Sequence, residues 1–307
     1  SRIETVAFVH PQAIPQMADV EEVWARIRRN PSVRYSALVP NLRGAQRALD
    51  AGFAEIEVVI SASDTHNRRN INRSTEESLA DLPALVDLAH SRGGTVQLIV
   101  ATAWGCPYEG DVPVSRVLDV LRRAVGAGVD SVAFGDTTGM ATPTRVIRLV
   151  GETRSAHPDL ALGLHFHNTR GTGLANVLAA LQLGADDFDA SVGGLGGCPY
   201  APGASGNIAT EELVHMLEDM GVATGVDLDE ADRRFGLYID RFARLMDSAI
   251  TLPVLGPVGL DAAISVVPVL GDVVGGVLSL TLVARSLRYG PPATLVSKML
   301  ANVLTDV

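Results

Sequence analysis

Two histidines separated by one residue end an apolar segment, Gly163–Asn168. Residues two apart on a β-strand project to the same face, so His165 and His167 can both point at one ion. Two imidazoles suit a first-row divalent metal. Taken alone, the pattern also fits two ordinary polar residues at the end of a strand.

A glycine-rich segment, Gly193–Asn207, holds a second set of reactive groups. A segment this rich in glycine loses much conformational entropy when it folds. Such segments are typical of backbone that passes close to a ligand or moves as a lid. The segment contains the thiol of Cys198 and ends at Asn207, whose amide oxygen can bind a metal. A flexible connection with a bystander cysteine is the alternative, although Pro199 and Pro202 restrict the loop.

Two carboxylates also stand on or next to apolar segments. Asp136 follows Ser131–Gly135, and Glu4 lies inside the first apolar segment of the chain. An Asp at a strand end also serves as a helix cap or in a turn. Glu4 fits either the solvent-exposed end of a strand or the mouth of a barrel. Cys106 belongs to a second Cys-Pro-Tyr motif, and we interpret it as structural.

These side chains need a scaffold, and alternating segments between Arg2 and about Val226 predict one. Short β-branched segments predict seven strands: Ile3–Val9, Tyr35–Val39, Glu55–Ser61, Thr95–Thr102, Ser131–Gly135, Ala161–His167 and Asp187–Val192. Longer segments with helical periodicity predict six helices between them: Val20–Arg29, Leu42–Ala51, Ser74–Arg92, Pro113–Ala127, Thr142–Ala156 and Gly171–Leu183.

This alternation is typical of a parallel α/β sheet, closed as a (β/α)8 barrel or open and doubly wound. A nucleotide-binding open sheet carries a glycine-rich turn after its first strand. The present chain has His10-Pro11-Gln12 there instead. We therefore predict an α/β fold, a (β/α)8 TIM barrel that lacks its first strand, followed by a small hydrophobic all-α tail.

Composition excludes several classes of protein. The chain has 307 residues, 47% of them hydrophobic and 20% charged, which indicates a folded protein with a substantial core. Its formal net charge of −10 and lack of long basic runs argue against a nucleic-acid partner. Two cysteines do not form a disulfide framework, so we expect a reducing cytoplasm. The first residues look like the middle of a strand, so we expect no signal or transit peptide.

The composition changes after about Arg241, where Leu252–Leu287 is rich in Val, Leu, Gly and Ala. The uncharged stretch Val273–Ala284 is shorter than the roughly 18–20 residues that span a bilayer. A buried helical hairpin and interfacial helices that give membrane contact through residues 250–290 both fit. We predict two domains, a barrel at 1–235 and a hydrophobic helical domain at 240–307.

Several motifs of the first domain together resemble the 3-hydroxy-3-methylglutaryl-CoA lyase family of metal-dependent TIM barrels. They are Phe8–Pro11, Pro15–Asp19, Pro40–Gly44, Asn70–Asn72, Gly105–Gly110, Gly135–Gly139, His165–Thr169 and Gly193–Asn207 with Ala209–Glu211. The Gly-Gly-Cys-Pro-Tyr-Ala loop is specific for the lyases within the wider superfamily. The tail resembles a small hydrophobic bacterial domain of unknown function.

The resemblance implies a divalent metal, Mg²⁺ or Mn²⁺, bound by His165, His167 and Asn207. It implies catalytic roles for Cys198, Glu4 and Asp136, an acyl-CoA substrate and a homodimer. The family also uses an Arg-Asp pair on its first barrel strand, and this chain begins after that position.

The implied reaction is a retro-Claisen cleavage of 3-hydroxy-3-methylglutaryl-CoA to acetyl-CoA and acetoacetate, a step of leucine degradation and ketone body metabolism. Three alternatives stay open at this stage: a catalytically inactive fragment or pseudoenzyme, a related acyl-CoA condensing synthase, and a non-enzymatic membrane or scaffold protein led by the tail.

Overall fold

The computed structural model describes residues 2–12, 14–196 and 206–228, and the backbone of 250–252 and 256–258. Its central feature is a parallel sheet whose seven strands are hydrogen-bonded in chain order. They are β1 (Arg2–Ala7), β2 (Arg34–Val39), β3 (Glu55–Ser61), β4 (Thr95–Ala101), β5 (Ser131–Gly135), β6 (Leu162–His165) and β7 (Asp187–Asp189).

Eight α-helices belong to the same part of the chain. They are α1 (Val20–Arg26), α2 (Leu42–Asp50), α3 (Asp64–Ile71), α4 (Thr75–Ser91), α5 (Val114–Gly126), α6 (Pro143–Ala156), α7 (Gly173–Leu181) and α8 (Thr210–Asp219). The predicted capping box of α4 is present, because the Ser74 side chain accepts from the Glu77 amide while the Glu77 carboxylate accepts from the Ser74 amide. Six helices match the prediction within a few residues, and α3 and α8 were missed.

The hydrophobic core includes the side chains of alternate strand residues. Ile56, Val58 and Ile60 of β3 are buried, and so are Val96, Leu98 and Val100 of β4. Residues two apart share a face of a strand, so each strand contributes one continuous apolar row to this core. The same period places the remaining residues of each strand on the opposite face of the sheet.

That opposite face carries acidic residues on β1, β3 and β7. It carries Glu4, Glu55, Glu57, Asp187 and Asp189, whereas the interior of a TIM barrel is usually filled by branched apolar residues. The guanidinium of Arg2, on β1, contacts Asp189 of β7 at 3.1 Å from Nη2 to Oδ1. The first and last strands are therefore close enough for one side chain to join them, and the sheet is curled with this face inside.

The predicted α/β barrel architecture is confirmed as a curled parallel sheet with helices between its strands. The parallel sheet of the described residues has seven strands, one fewer than a closed (β/α)8 barrel. Predicted strand ends were generally too long by one to three residues. The largest differences are at β6 and β7, where the chain leaves the sheet at His165 and Asp189 instead of continuing to His167 and Val192.

The chain divides into two compact units, residues 1–226 and 227–307. In the second unit the described residues form two antiparallel strands, β8 (Ile250–Leu252) and β9 (Gly256–Val258). The expectation of an entirely helical tail is therefore wrong for these residues. β-Branched Ile250 and Thr251 favour strand, and Gly256 and Pro257 disfavour helix.

No helix among the described residues is long and apolar enough to cross a membrane. Most of Leu252–Leu287, on which the predicted membrane contact rests, lies outside the described residues.

Candidate functional site

The two histidines of the His-x-His motif converge at the carboxyl end of β6. Their Nε2 atoms are 3.2 Å apart, as expected for residues that project to one face. His165 is the last residue of β6, and His167 follows in a short antiparallel bridge to Asn207. The carboxyl ends of barrel strands carry the active sites of TIM-barrel enzymes, so the motif lies where chemistry is expected.

Asn207 is held beside His167 by backbone hydrogen bonds. The Ile208 amide donates to the Phe166 carbonyl and the Asn168 amide donates to the Gly206 carbonyl, at 3.2 and 3.1 Å. The Asn207 side-chain nitrogen donates to the Leu195 carbonyl at 2.9 Å, while its buried Oδ1 atom has no hydrogen-bond partner among the described residues. The backbone of Asn207 is therefore adjacent to His167, and the carboxamide oxygen of Asn207 is left to accept a ligand.

The pKa values of the two imidazoles are shifted in opposite directions. Burial by itself lowers the pKa of His165, but the hydrogen bond and negative charge of Asp189 outweigh burial and raise this pKa above its ordinary value. Burial and the neighbouring His165 lower the pKa of His167 to about 4. His167 is therefore neutral at pH 7, which is the form in which an imidazole binds a metal.

Among the described residues, no group of three or more His, Cys, Asp and Glu side chains is arranged to hold a metal ion. Beside His165 and His167, the Asn207 amide is a donor of another type at this position. The donor set of two imidazoles and one carboxamide suits a divalent cation that keeps further positions for water or substrate.

Glu4 lies on the inner face of the sheet and not at the outer end of its strand. It forms a hydrogen bond with Glu57 and interacts electrostatically with His165. The residue is nonetheless exposed to solvent. Of the two positions open from the sequence, the structure therefore selects the barrel interior.

Glu57 is a buried carboxyl group that the sequence analysis did not single out. Only 2% of the residue is exposed, and the Ser36 hydroxyl donates to its Oε1 atom at 2.5 Å. Burial and the adjacent Glu4 raise the pKa of Glu57 to about 8. The available signal was the alternation Glu55-Ile56-Glu57-Val58, which places two carboxylates on one face of an otherwise apolar strand.

Glu57 predicts a pH-dependent stability. Because its pKa is higher in the folded protein than in the unfolded chain, folding favours the protonated form, and the free energy of unfolding falls as pH rises from about 4.5 to about 8. The slope from this group reaches at most about 1.4 kcal/mol per pH unit. Glu57→Gln is expected to remove that slope and to raise the free energy of unfolding at pH 7.5 by roughly 2 to 3 kcal/mol.

Urea unfolding at several pH values measures this effect. Glu22→Gln, on the exposed side of α1, removes a carboxylate at the surface and should change stability by less than about 0.5 kcal/mol. A Glu57→Gln protein with the same slope as the parent would show that Glu57 is ionised at neutral pH.

Asp136 follows β5 directly and is almost fully buried. Its Oδ1 atom accepts from the amides of Met140 and Ala141 at 2.7 and 3.0 Å, so it stabilises the turn after the strand. Its Oδ2 atom is buried and has no hydrogen-bond partner in the part of the chain that the structure describes. Burial outweighs the amide donors and raises the pKa of Asp136 to about 6. Oδ1 thus has a structural role, and Oδ2 is left for a second role, such as proton transfer.

The two cysteines are placed differently. Cys106 is buried, and its thiol donates to the Ser63 hydroxyl at 3.0 Å, in keeping with a structural interpretation. Cys198 lies outside the described residues, and its assignment as a catalytic group stays a prediction. The described ends of its loop, Val192–Gly196 and Gly206–Asn207, meet at hydrogen bonds of 3.1 Å from the Gly206 amide to the Gly196 carbonyl and from the Asn207 amide to the Gly194 carbonyl.

Together, a curled parallel α/β sheet and paired histidines at its carboxyl edge define a TIM-barrel-type enzyme class. The family model described as HMGL-like matches residues 1–233, and the chain belongs to this family. A second model, described as "Domain of unknown function (DUF4112)", matches residues 238–307. The resemblances predicted for both parts of the chain are confirmed.

Relatives and solved structures agree with this family. Hydroxymethylglutaryl-CoA lyase YngG of Bacillus subtilis is 46% identical over 230 residues, covering 75% of this chain and 77% of that protein. The cytoplasmic 3-hydroxy-3-methylglutaryl-CoA lyase of Mus musculus is 45% identical, covering 74% of this chain and 66% of that protein.

Among solved structures, an HMG-CoA lyase from Acinetobacter baumannii in complex with coenzyme A and 3-methylmalate has a TM-score of 0.72 and 46% identity, with 75% of each chain covered. The Bacillus subtilis HMG-CoA lyase has a TM-score of 0.72 and 47% identity, covering 75% of this chain and 77% of that one.

Proposed function

We propose that this protein cleaves 3-hydroxy-3-methylglutaryl-CoA to acetyl-CoA and acetoacetate. The observation that carries the proposal is the convergence of His165 and His167, with Nε2 atoms 3.2 Å apart, at the carboxyl end of β6 in a chain of the HMGL-like family. The named lyase relatives and the coenzyme A in the similar Acinetobacter structure support the acyl-CoA substrate.

A divalent metal, Mg²⁺ or Mn²⁺, fits the residues present. His165, His167 and the unpartnered Oδ1 atom of Asn207 would hold it, because all three offer lone pairs in one small region. When bound, the ion supplies Lewis acidity and a template that orients oxygen atoms of the substrate. The neutral state of His167 at pH 7 leaves its lone pair free for this use.

The carboxyl groups of the site handle protons. The pKa of about 6 at Asp136 lies near neutral pH, where an acid/base group both gains and loses a proton readily. Its unpartnered Oδ2 atom is the one available for proton transfer. Glu4 shares a hydrogen bond with Glu57, so this pair can hold one proton between two oxygen atoms. We propose that one of these two carboxylates, Asp136 or Glu4, accepts the single proton of the substrate 3-hydroxyl.

The proposed cleavage proceeds through the following bond changes. The 3-hydroxyl loses its proton to a carboxylate, the C2–C3 bond breaks, and the electron pair of that bond passes to the thioester enolate. The oxygen at C3 becomes the ketone of acetoacetate. The Cys198 thiol delivers a proton to the enolate carbon and so completes acetyl-CoA.

The function is tested by incubating the full chain with 3-hydroxy-3-methylglutaryl-CoA and Mg²⁺ or Mn²⁺. We expect equal amounts of acetyl-CoA and acetoacetate, measured by chromatography, and no product in excess EDTA. A folded protein that yields no acetoacetate with either metal would contradict the proposal and favour a pseudoenzyme. Consumption of acetyl-CoA with a 2-oxoacid acceptor, without acetoacetate release, would favour the condensing synthase.

The domain division and the assembly also remain proposals. We propose a lyase domain at 1–235 and a separate domain at 240–307, which is supported by the change of family model between residues 233 and 238. We propose a homodimer in the cytoplasm, with any membrane contact restricted to 250–290. Light scattering and vesicle co-sedimentation with and without residues 240–307 would test these points.

A further inference from the structure

Asp189, the last residue of β7, uses each carboxylate oxygen for a different partner. Its Oδ2 atom lies 3.3 Å from Nδ1 of His165, and its Oδ1 atom accepts from Nη2 of Arg2 at 3.1 Å. We propose that Asp189, held by Arg2, is a positioning residue that orients His165 for binding a divalent metal. The link to the metal rests on the proposed function.

The tautomer of His165 follows from this contact. A carboxylate accepts hydrogen bonds but does not donate them, so Nδ1 of His165 must carry the hydrogen. In the neutral ring, Nε2 then has the free lone pair. Nε2 is also the atom that lies 3.2 Å from Nε2 of His167. The contact with Asp189 therefore leaves the lone pair of His165 on Nε2, the nitrogen that lies next to His167.

Arg2 fixes the orientation of Asp189. Its guanidinium also donates to Glu55 at 3.1 Å and lies 4.0 Å from Glu57, so it is bound between β3 and β7 and only 12% of its side chain is exposed. Four acidic partners on these two strands, with Asp187 at 3.9 Å as the fourth, leave the guanidinium little freedom to rotate. The two hydrogen bonds Arg2–Asp189 and Asp189–His165 therefore hold the His165 ring in a fixed orientation.

The second histidine lacks this support. The Nδ1 atom of His167 is buried without a hydrogen-bond partner among the described residues. Carboxylates that hold the far nitrogen of a metal-binding histidine typically change metal affinity by about 10- to 100-fold when they are removed. We therefore expect Asp189 to act through His165 alone.

A purely structural role for Asp189 is the competing explanation, since Arg2 and Asp189 also join the first and last strands. Such a role would affect unfolding but not the choice of nitrogen on His165. The tautomer and the metal affinity therefore distinguish the two roles, and stability by itself does not.

The test compares the parent with Asp189→Asn and with the control Asp187→Asn. Asp187 is on the same strand, has a side chain 50% exposed and lies 3.9 Å from Arg2. The first measurement is the long-range ¹H–¹⁵N spectrum of the metal-free full chain, labelled with ¹⁵N-histidine, at alkaline pH. The parent and Asp187→Asn should show the Nδ1–H tautomer at His165, and Asp189→Asn should show a substantial Nε2–H population.

The second measurement is Mn²⁺ affinity, followed by loss of the free-ion EPR signal. Asp189→Asn should weaken binding about 10- to 100-fold and Asp187→Asn less than about twofold. Arg2→Gln, which leaves the carboxylate in place, should weaken binding by a smaller factor and serves if Asp189→Asn does not fold.

The outcomes separate the two proposals. Nε2–H at His165 in the parent, or affinities of Asp189→Asn and Arg2→Gln within twofold of the parent, would overturn the positioning role while leaving the lyase proposal intact. A folded parent that shows the Nδ1–H tautomer but binds no Mn²⁺ would instead overturn the metal-dependent lyase, and with it the purpose assigned to Asp189.

Discussion

Replacing His167 with alanine is expected to lower kcat/KM for 3-hydroxy-3-methylglutaryl-CoA cleavage by at least about 1,000-fold. His167 is buried, neutral at pH 7 and directed at Nε2 of His165. Its removal takes away one of two imidazoles at the proposed metal site, and the remaining donors bind a divalent cation more weakly. The rate of acetoacetate release measures the effect, and a Mn²⁺ titration shows its origin.

The matched control for this variant is His90→Ala. His90 lies at the exposed end of α4 and pairs with Asp130, away from the carboxyl edge of the sheet. It should keep kcat/KM within about twofold of the parent. Since His167→Ala opens a cavity in the interior, its thermal unfolding must be measured too. A folded His167→Ala protein with more than a tenth of the parent activity at saturating Mn²⁺ would contradict the proposed site.

Replacing Cys198 with serine is expected to lower kcat by about 100- to 10,000-fold with little change in Mn²⁺ affinity. A serine hydroxyl has nearly the shape of the thiol but is a far weaker acid, so it is a poor proton donor to the enolate. The thiol is not among the proposed metal ligands, and for this reason metal binding should persist. Single-turnover kinetics with substrate and product quantified separately measure the loss.

Cys106→Ser is the control that the chain itself offers, because both cysteines stand in Cys-Pro-Tyr motifs. Cys106 is buried and donates to Ser63, so serine there should reduce stability and leave kcat within about threefold. The reverse result, with Cys106→Ser inactive and Cys198→Ser active, would show that the catalytic thiol was assigned to the wrong motif.

Local sequence patterns predicted a feature correctly where that feature lies within a single strand or helix. The bounds of β3 and β5 were predicted correctly because each is a short apolar segment between turn residues. The capping box at Ser74 and Glu77 was also readable, since its residues are three apart. α3 was missed because Asp64–Ile71 is polar nearly throughout, and its buried His66 and Asn67 face other polar groups.

The sequence by itself determined the family, the parallel α/β class and the pairing of His165 with His167, because these depend on motifs and on residues two apart on one strand. Only the tertiary structure decided that Glu4 lies beside Glu57 and that Arg2 reaches Asp189. These partners are 53 and 187 residues apart, and what brings them together is the curl of the sheet. Curvature arises from the summed twist of many strands, which leaves no local pattern in the chain.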